Sequence, residues 1–131
     1  MTMLVPTFSS LDILYLEDEL LVALDGEDIL SDLGFRQVIS VSTLEDAEGA
    51  VADQSFDLAI LDVNLGQGKT SLNLARHLQR RGVSTLFVTG YNGSELPEDL
   101  RHIEIVEKPI SHDRLKRAIE ATVINTELLD S

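Results

Sequence analysis

Short runs of apolar residues alternate along this chain with longer segments in which the apolar positions recur every three or four residues. Five runs have the length and composition of β-strands, and they cover residues 13–16, 38–41, 58–61, 85–88 and 103–106. The first, third and fourth are apolar at nearly every position, which indicates strands that are covered on both faces of a sheet. The second and fifth partly alternate with polar residues, as half-exposed strands do.

The segments between these runs predict helices. The first helix ends at Gly34, and the second begins with Ser42 and Glu45, which have the spacing of a capping box. A third helix follows the third strand, and a short fourth one begins near Pro97, a residue favoured in the first turn of a helix. Ser111 caps the last helix, so the predicted order is β-α repeated five times.

This order predicts the fold class. Strands joined by helices require right-handed crossovers and give a parallel sheet with helices on both faces. Five units are too few to close an eight-stranded barrel, so we expect an open, doubly wound α/β sheet. The domain would cover residues 11–124, between an N-terminal tail of residues 1–10 and a C-terminal tail of residues 125–131. In such sheets the functional site lies beyond the carboxyl ends of the strands.

Composition excludes several classes of function. The chain has 131 residues, no cysteine, and 23 acidic against 10 basic residues, for a formal net charge of −13. Without cysteine there can be no disulfide, zinc–thiolate site or thiol catalysis. The negative charge disfavours binding to nucleic acid or to an anionic membrane surface. No apolar segment approaches the roughly 20 residues of a membrane span, and the N-terminus lacks the features of a signal peptide, so we expect a cytoplasmic protein.

Polar residues stand at the carboxyl ends of the predicted strands. Glu17 and Asp18 come after the first strand, Asp62 ends the third, Thr89 ends the fourth and Lys108 follows the fifth. At about 4 Å, two carboxylates repel each other by roughly 4 kcal/mol at an effective dielectric near 20, so such a group needs a cation. Carboxylate oxygens without histidine or cysteine select Mg²⁺, Mn²⁺ or Ca²⁺ over zinc.

The same residues fit phosphoryl transfer, in which a protein mainly positions the reactants and stabilises charge. Asp62 is best placed to act as a carboxylate nucleophile, because it ends a central apolar strand. Lys108 is a compact cation able to reach the phosphoryl oxygens, and Thr89 can donate a hydrogen bond to them.

Four motifs at these strand ends resemble those of the response-regulator receiver family of two-component signalling. They are LYLEDE at 14–19, LDVNL at 61–65, FVTGY at 87–91 and EKPI at 107–110. The resemblance covers about residues 11–123, and all four motifs occur in the family's order. It implies a flavodoxin-like (βα)5 fold with a five-stranded parallel sheet in the strand order 2-1-3-4-5.

The resemblance also implies roles for individual residues. Asp62 would be the phosphoacceptor. Mg²⁺, or alternatively Mn²⁺, would be bound by the side chains of Glu17, Asp18 and Asp62. The backbone carbonyl of Asn64 would complete the protein's share of the metal ligands.

Further residues of the family pattern lie on the last two strands. Thr89 would be the switch hydroxyl and Lys108 the phosphate-binding lysine, with a cis peptide bond to Pro109. The sequence departs from the common pattern at the switch aromatic, because Ile105 stands three residues before the lysine. An aromatic residue occurs instead at Tyr91, which resembles a stand-alone receiver subclass with a Phe-Ala-Thr-Gly-type motif. Tyr91 is therefore our candidate for the switch residue.

The implied function is acceptance of a phosphoryl group in a phosphorelay of the bacterial type. A sensor histidine kinase or a histidine phosphotransfer protein would be the donor, and phosphorylation would switch a partner-binding surface. The chain would not be an enzyme, beyond its self-catalysed phosphorylation and a slow autodephosphorylation. We expect a stand-alone receiver whose output comes from docking a partner, from acting as a phosphate sink, or from forming a homodimer. Such a dimer would use the face made by the fourth helix, the fifth strand and the last helix.

Two alternatives stay open. A pseudo-receiver would keep the fold as a protein-interaction module that is not phosphorylated, although the complete set of site residues argues against it. A small phosphatase with Asp62 as the nucleophile would need a second acid two residues further on, where the sequence has Asn64.

Overall fold

A computed structural model of the chain describes residues 8–90 and 96–130, with side chains described as far as residue 123. Its centre is a five-stranded sheet in which all neighbouring strands are parallel. The strands are β1 (Asp12–Leu16), β2 (Gln37–Val41), β3 (Leu58–Asp62), β4 (Ser84–Thr89) and β5 (Glu104–Glu107). Their order across the sheet is β2-β1-β3-β4-β5, which confirms the predicted fold class and strand order.

Four α-helices accompany the sheet within the described residues. They are α1 (Leu20–Leu33), α2 (Leu44–Asp53), α3 (Leu72–Arg80) and α4 (His112–Asp130). Short 3₁₀ turns occupy Phe8–Ser10 and Glu98–Leu100. As predicted, Gly34 ends α1, and it does so with a φ of 79°, a conformation that glycine adopts without steric cost.

Three helix boundaries differ from the prediction. The cap of α2 is Thr43 rather than Ser42, since the Thr43 hydroxyl accepts a hydrogen bond from the amide of Asp46 at 3.1 Å. The predicted fourth helix is only the 3₁₀ turn Glu98–Leu100. The last helix continues through residues 125–130, the predicted C-terminal tail, because no glycine or proline interrupts it.

The sheet separates two hydrophobic cores. On β1, Leu14 and Leu16 belong to one core, Ile13 and Tyr15 belong to the other, and all of them are completely buried. Residues of α2 and α3 cover the first core, and residues of α1 and α4 cover the second. Because side chains alternate along a strand, a strand that is apolar throughout is stable only between two helical layers.

Helix α1 packs unusually close to β1. Gly26 is buried in α1, and a Cβ atom at this position would lie 2.6 Å from Cζ of Tyr15 and closer still to the hydroxyl group. The Tyr15 hydroxyl donates a hydrogen bond to the carbonyl of Val22 at 3.4 Å. Burial, helped by the charges of nearby carboxylates, raises the pKa of Tyr15 above its ordinary value. The absence of a side chain at Gly26 therefore lets α1 lie directly against the strand that carries the acidic motif.

The strand order places the expected functional site at one edge of the sheet. The connections on either side of β1 and β3 diverge, so a crevice forms beyond the carboxyl ends of these two strands. Within the described part of the chain, no helix is both long enough and apolar enough to cross a membrane.

Candidate functional site

Four carboxyl groups meet at the carboxyl edge of the sheet. They belong to Glu17, Asp18, Glu19 and Asp62, and one carboxylate oxygen of each lies within 4.8 Å of the others. Glu17 directly follows β1, and Asp62 is the last residue of β3. Both are buried, whereas Asp18 and Glu19 are exposed at the rim. We call this group the acidic cluster.

Lys108 places its ammonium group inside the acidic cluster. Nζ lies 3.0 Å from Oε1 of Glu17, 3.1 Å from Oδ2 of Asp62 and 3.3 Å from Oε1 of Glu19. The backbone amide of Lys108 donates a hydrogen bond to the carbonyl of Thr89 at 2.8 Å, which fixes the start of the segment after β5. The Lys108–Pro109 peptide bond is cis.

The surroundings of Asp62 raise the pKa of its carboxyl group. Burial, together with the hydrogen bond and charge of Glu17 and a contact from Asp18, raises the pKa of Asp62 to about 8, and the charge of Lys108 offsets only part of this rise. Burial alone would lower the pKa of Lys108, but Glu17 and Asp62 raise it above its ordinary value. The lysine therefore stays charged, while the cluster retains more negative charge than one ammonium group can neutralise.

The residues present fit a hard divalent cation. Glu17 Oε1 is fully buried, and no group in the described part of the chain donates a hydrogen bond of good geometry to it, although the Lys108 ammonium lies 3.0 Å away. Lys108 supplies one positive charge among four carboxyl groups, so the remaining repulsion between the carboxylates favours a further cation. The oxygens of the acidic cluster are the ligand type that Mg²⁺ and Mn²⁺ prefer.

The segment after β3 forms a tight turn next to the acidic cluster. Asn64 pairs with Thr70 in an isolated antiparallel bridge, and the enclosed residues 66–68 all have a positive φ. A Cβ atom at Gly66 would lie 3.8 Å from Oδ2 of Asp18, so the turn approaches the rim of the site. The proposed metal ligand at Asn64 thus lies beside the cluster, and its role stays a prediction.

Thr89 and the switch candidates occupy the other side of the site. Thr89 is buried at the end of β4, where it pairs with Glu107 of β5. Ile105 is half-buried on β5 and pairs with Phe87. Tyr91, the predicted switch aromatic, lies outside the described residues, so its role also stays a prediction.

Sequence reasoning missed one member of the acidic cluster. The prediction took only Glu17 and Asp18 from the acidic run, but Glu19 also contacts Lys108. The amide of Glu19 donates a hydrogen bond to Oε2 of Glu17 at 3.1 Å, and α1 begins at the next residue. This local turn brings the third acidic side chain back to the site. The signal in the sequence was that Glu19 directly follows Glu17 and Asp18.

A parallel α/β sheet with an acidic cluster and a half-buried lysine at its carboxyl edge defines a domain of the receiver class. The chain belongs to the response regulator receiver domain family, whose model matches residues 13–120. This membership places it among the proteins of two-component signalling. Curated proteins gave no match to the chain.

Solved structures agree with this assignment. The solution structure of SdrG from Sphingomonas melonis Fr1 is 34% identical, with 88% of this chain and 98% of that chain covered and a TM-score of 0.76. A BeF3-activated conformation of SdrG from Pseudomonas melonis Fr1 is 35% identical over 88% of this chain and 98% of that one, with a TM-score of 0.75. A CheY-like receiver domain from Methylobacillus flagellatus shares the fold at 24% identity, covering 87% and 99% of the two chains with a TM-score of 0.74.

Proposed function

We propose that this chain is a phosphoacceptor of a phosphorelay and that Asp62 receives the phosphoryl group. The observation that carries the proposal is the partly buried contact of 3.1 Å between Oδ2 of Asp62 and Nζ of Lys108, inside a cluster of four carboxyl groups. A structural salt bridge would need one carboxylate for one ammonium. The excess of carboxylates supports a site that is completed by a cation and a phosphoryl group.

The proposed reaction is a direct transfer from a phosphohistidine of a sensor histidine kinase or a histidine phosphotransfer protein. A carboxylate oxygen of Asp62 forms a bond to phosphorus as the phosphorus–nitrogen bond of the donor breaks, and the electron pair of that bond stays with the imidazole. The side chain of Asp62 is only 4% exposed, which limits attack by water on the acyl phosphate. The chain's own catalysis would then be limited to its phosphorylation and a slow dephosphorylation.

The charge that develops on the phosphoryl oxygens has to be balanced by groups of the site. Lys108 is already beside the reacting oxygen and would move with the phosphoryl group. Thr89, at the end of the neighbouring strand, would donate a hydrogen bond to one of its oxygens. Both residues thereby link phosphorylation to β4 and β5.

The residues that would hold Mg²⁺, or Mn²⁺ in its place, are Glu17, Asp18 and Asp62 through their side chains and Asn64 through its backbone carbonyl. When bound, the cation would neutralise the carboxylates and the phosphoryl oxygens. The raised pKa of Asp62 supports this need for a cation, because an aspartate with a pKa of about 8 is largely protonated at neutral pH and is then a poor nucleophile.

The proposal is tested by intact-mass measurement after incubation with acetyl phosphate and Mg²⁺. We expect the mass of one phosphoryl group to be gained, and the gain to disappear in the Asp62→Asn variant and in excess EDTA. A gain that survives the Asp62→Asn substitution would contradict the assignment of the acceptor. No gain from acetyl phosphate or from any kinase would favour the pseudo-receiver, a module that only binds partners. Cytoplasmic location stays a prediction, and so does dimerisation through the face made by the predicted fourth helix (the turn Glu98–Leu100), β5 and α4.

A further inference from the structure

Glu19 occupies a position that the local structure of the chain does not explain. It is the N-cap residue of α1, but its side chain makes no capping hydrogen bond. Serine, threonine, asparagine and aspartate are preferred at such positions, because their short side chains bond to the first amides of a helix. The carboxylate of Glu19 instead lies 3.3 Å from Nζ of Lys108, a residue 89 positions further along the chain. The side chain therefore serves the site and not the helix.

Lys108 uses all of its hydrogen-bond donors within the acidic cluster. An ammonium group has three N–H donors. Those of Lys108 reach Oε2 of Glu17 at 3.2 Å, Oε1 of Glu19 at 3.3 Å and Oδ2 of Asp62 at 3.1 Å. In the loose transition state of phosphoryl transfer the new bond to Asp62 is only partly formed, so Asp62 still accepts its hydrogen bond. A donor for the phosphoryl oxygens must therefore come from the contact with Glu17 or from the contact with Glu19.

The two glutamates differ in how easily they can leave the lysine. The side chain of Glu17 is 0% exposed, whereas that of Glu19 is 64% exposed. Releasing Glu17 would leave a buried charge without its partner, which is strongly unfavourable. Glu19 can turn into water, which replaces the lost hydrogen bond. Because the amide of Glu19 donates a hydrogen bond to Oε2 of Glu17 at 3.1 Å, the backbone is held while the side chain moves.

The charge of Glu19 opposes phosphorylation as well. One of its carboxylate oxygens lies within 4.8 Å of an oxygen of Asp62, so a phosphoryl group on Asp62 would be repelled by it. Water and salt weaken this repulsion, since the Glu19 side chain is mostly exposed. The hydrogen bond to Lys108 is the stronger of the two effects, because it withholds a cation from the reacting group.

We infer that Glu19 restrains Lys108 in the unphosphorylated chain and releases it to the phosphoryl group, so that this side chain sets how readily Asp62 is phosphorylated. This inference rests on the proposed function. Before the reaction the ammonium group is shared among three carboxylates. After it, a phosphoryl oxygen takes the place of Glu19, whose carboxylate turns to the solvent. Glu19 is a positioning residue, since it acts through Lys108.

The test measures the rate constant of labelling by acetyl phosphate and Mg²⁺ in the full chain. Glu19→Gln keeps the shape of the side chain but makes it a weaker acceptor for an ammonium group. We expect the rate constant to rise by about tenfold, with a nearly unchanged urea midpoint because no helix cap is lost. In a Lys108→Met background the same substitution should raise it by about threefold or less, since only the screened repulsion remains. Affinity for beryllofluoride, an analogue of the phosphoryl group, provides the same comparison if Lys108→Met reacts too slowly.

Asp28→Asn is the matched control, because it removes an exposed carboxylate from the same helix about two and a half turns away; its rate constant should equal that of the wild type. An unchanged rate constant in Glu19→Gln would overturn the inference. A lower one, with weaker Mg²⁺ binding in calorimetry, would make Glu19 a metal ligand instead. An equal rise with and without Lys108 would reduce its effect to repulsion. A wild-type chain that acetyl phosphate cannot label would count against the proposed function itself, so the two failures are distinguishable.

Discussion

Removing the Lys108 ammonium group from the acidic cluster is the perturbation with the clearest expected consequence. The Lys108→Met substitution keeps an unbranched apolar stem of similar shape and removes the ammonium group. Glu17, Asp18, Glu19 and Asp62 would then lie within 4.8 Å of one another without that counter-charge. We expect the metal-free variant to be less stable than the wild type at and above neutral pH.

The size of the effect follows from the distances. Nζ lies 3.0 Å from Glu17 and 3.1 Å from Asp62, and at about 3 Å and an effective dielectric of about 20 each contact contributes roughly 5 kcal/mol of Coulomb attraction. Desolvation of the buried charges offsets a large part of this attraction. Removing one partner of a buried pair costs about 3–5 kcal/mol. We expect a loss near the lower end, about 3 kcal/mol, since Asp62 can bind a proton and so relieve the repulsion.

Because Asp62 can bind a proton, the loss of stability in Lys108→Met depends on pH. With Lys108 present the pKa of Asp62 is about 8, and the ammonium group is the contribution that lowers it. Deleting the ammonium group should raise the pKa of Asp62 further. A group whose pKa is higher in the folded state than in the unfolded state stabilises the fold at low pH, and this contribution is lost as the pH rises through the folded-state pKa. The difference between variant and wild type should therefore be largest above about pH 8, where Asp62 is ionised, and shrink as the pH falls through that value.

The assay is urea denaturation followed by circular dichroism, in EDTA, at about pH 9.5 and about pH 7, which bracket the pKa of Asp62. With a slope of about 2 kcal/mol per molar urea, a loss of 3 kcal/mol lowers the midpoint by about 1.5 M. Lys116→Met, at an exposed position of α4, is the control and should leave the midpoint nearly unchanged. A Lys108→Met midpoint equal to that of the wild type, or a loss of the same size at both pH values, would refute this reasoning.

Two further predictions concern the packing of α1 and the charge of Asp62. Gly26→Ala should destabilise the protein by about 1–2 kcal/mol in the same urea assay, because its Cβ would overlap the ring of Tyr15. Gly49→Ala in α2, where no atom lies within 4 Å of the added Cβ, should instead be neutral or stabilise by up to about 1 kcal/mol; a destabilised Gly49→Ala would count against the packing argument. In metal-free buffer the wild type should lose stability as the pH rises from about 5 toward 8, by at most about 1.4 kcal/mol per pH unit. Asp62→Asn should remove most of this slope in urea midpoints measured across that range, and an unchanged slope would show that Asp62 is not its source.

The sequence contained enough information for the sheet and for the groups that meet at its edge. Strands β1, β3 and β4 are apolar on both faces, and such strands require helices on both sides of a parallel sheet. Once the strands are parallel, their carboxyl ends share an edge, so Glu17, Asp62 and Lys108 had to approach one another. The strand order itself came from the resemblance to a family and not from the pattern of apolar residues.

Features that depend on local geometry were not predictable in the same way. Glu19 joins the acidic cluster because the backbone turns between β1 and α1, and its amide bonds to the Glu17 side chain. The segment around Leu100 has a favourable proline at its start but forms only a 3₁₀ turn, in which the amide of Leu100 bonds to the carbonyl of Pro97. In each case a few hydrogen bonds decide between conformations that the residue pattern allows equally.

The central claim is that Asp62 carries the phosphoryl group, and the most direct measurement is the identification of the modified residue. The chain is phosphorylated with acetyl phosphate and Mg²⁺, the acyl phosphate is reduced with borohydride, and the digested peptides are sequenced by mass spectrometry. Reduction converts a phosphorylated aspartate to homoserine, which marks the position covalently. Our account predicts homoserine at position 62 and at no other aspartate. Homoserine at another aspartate, or a phosphorylated chain with none at position 62, would contradict it.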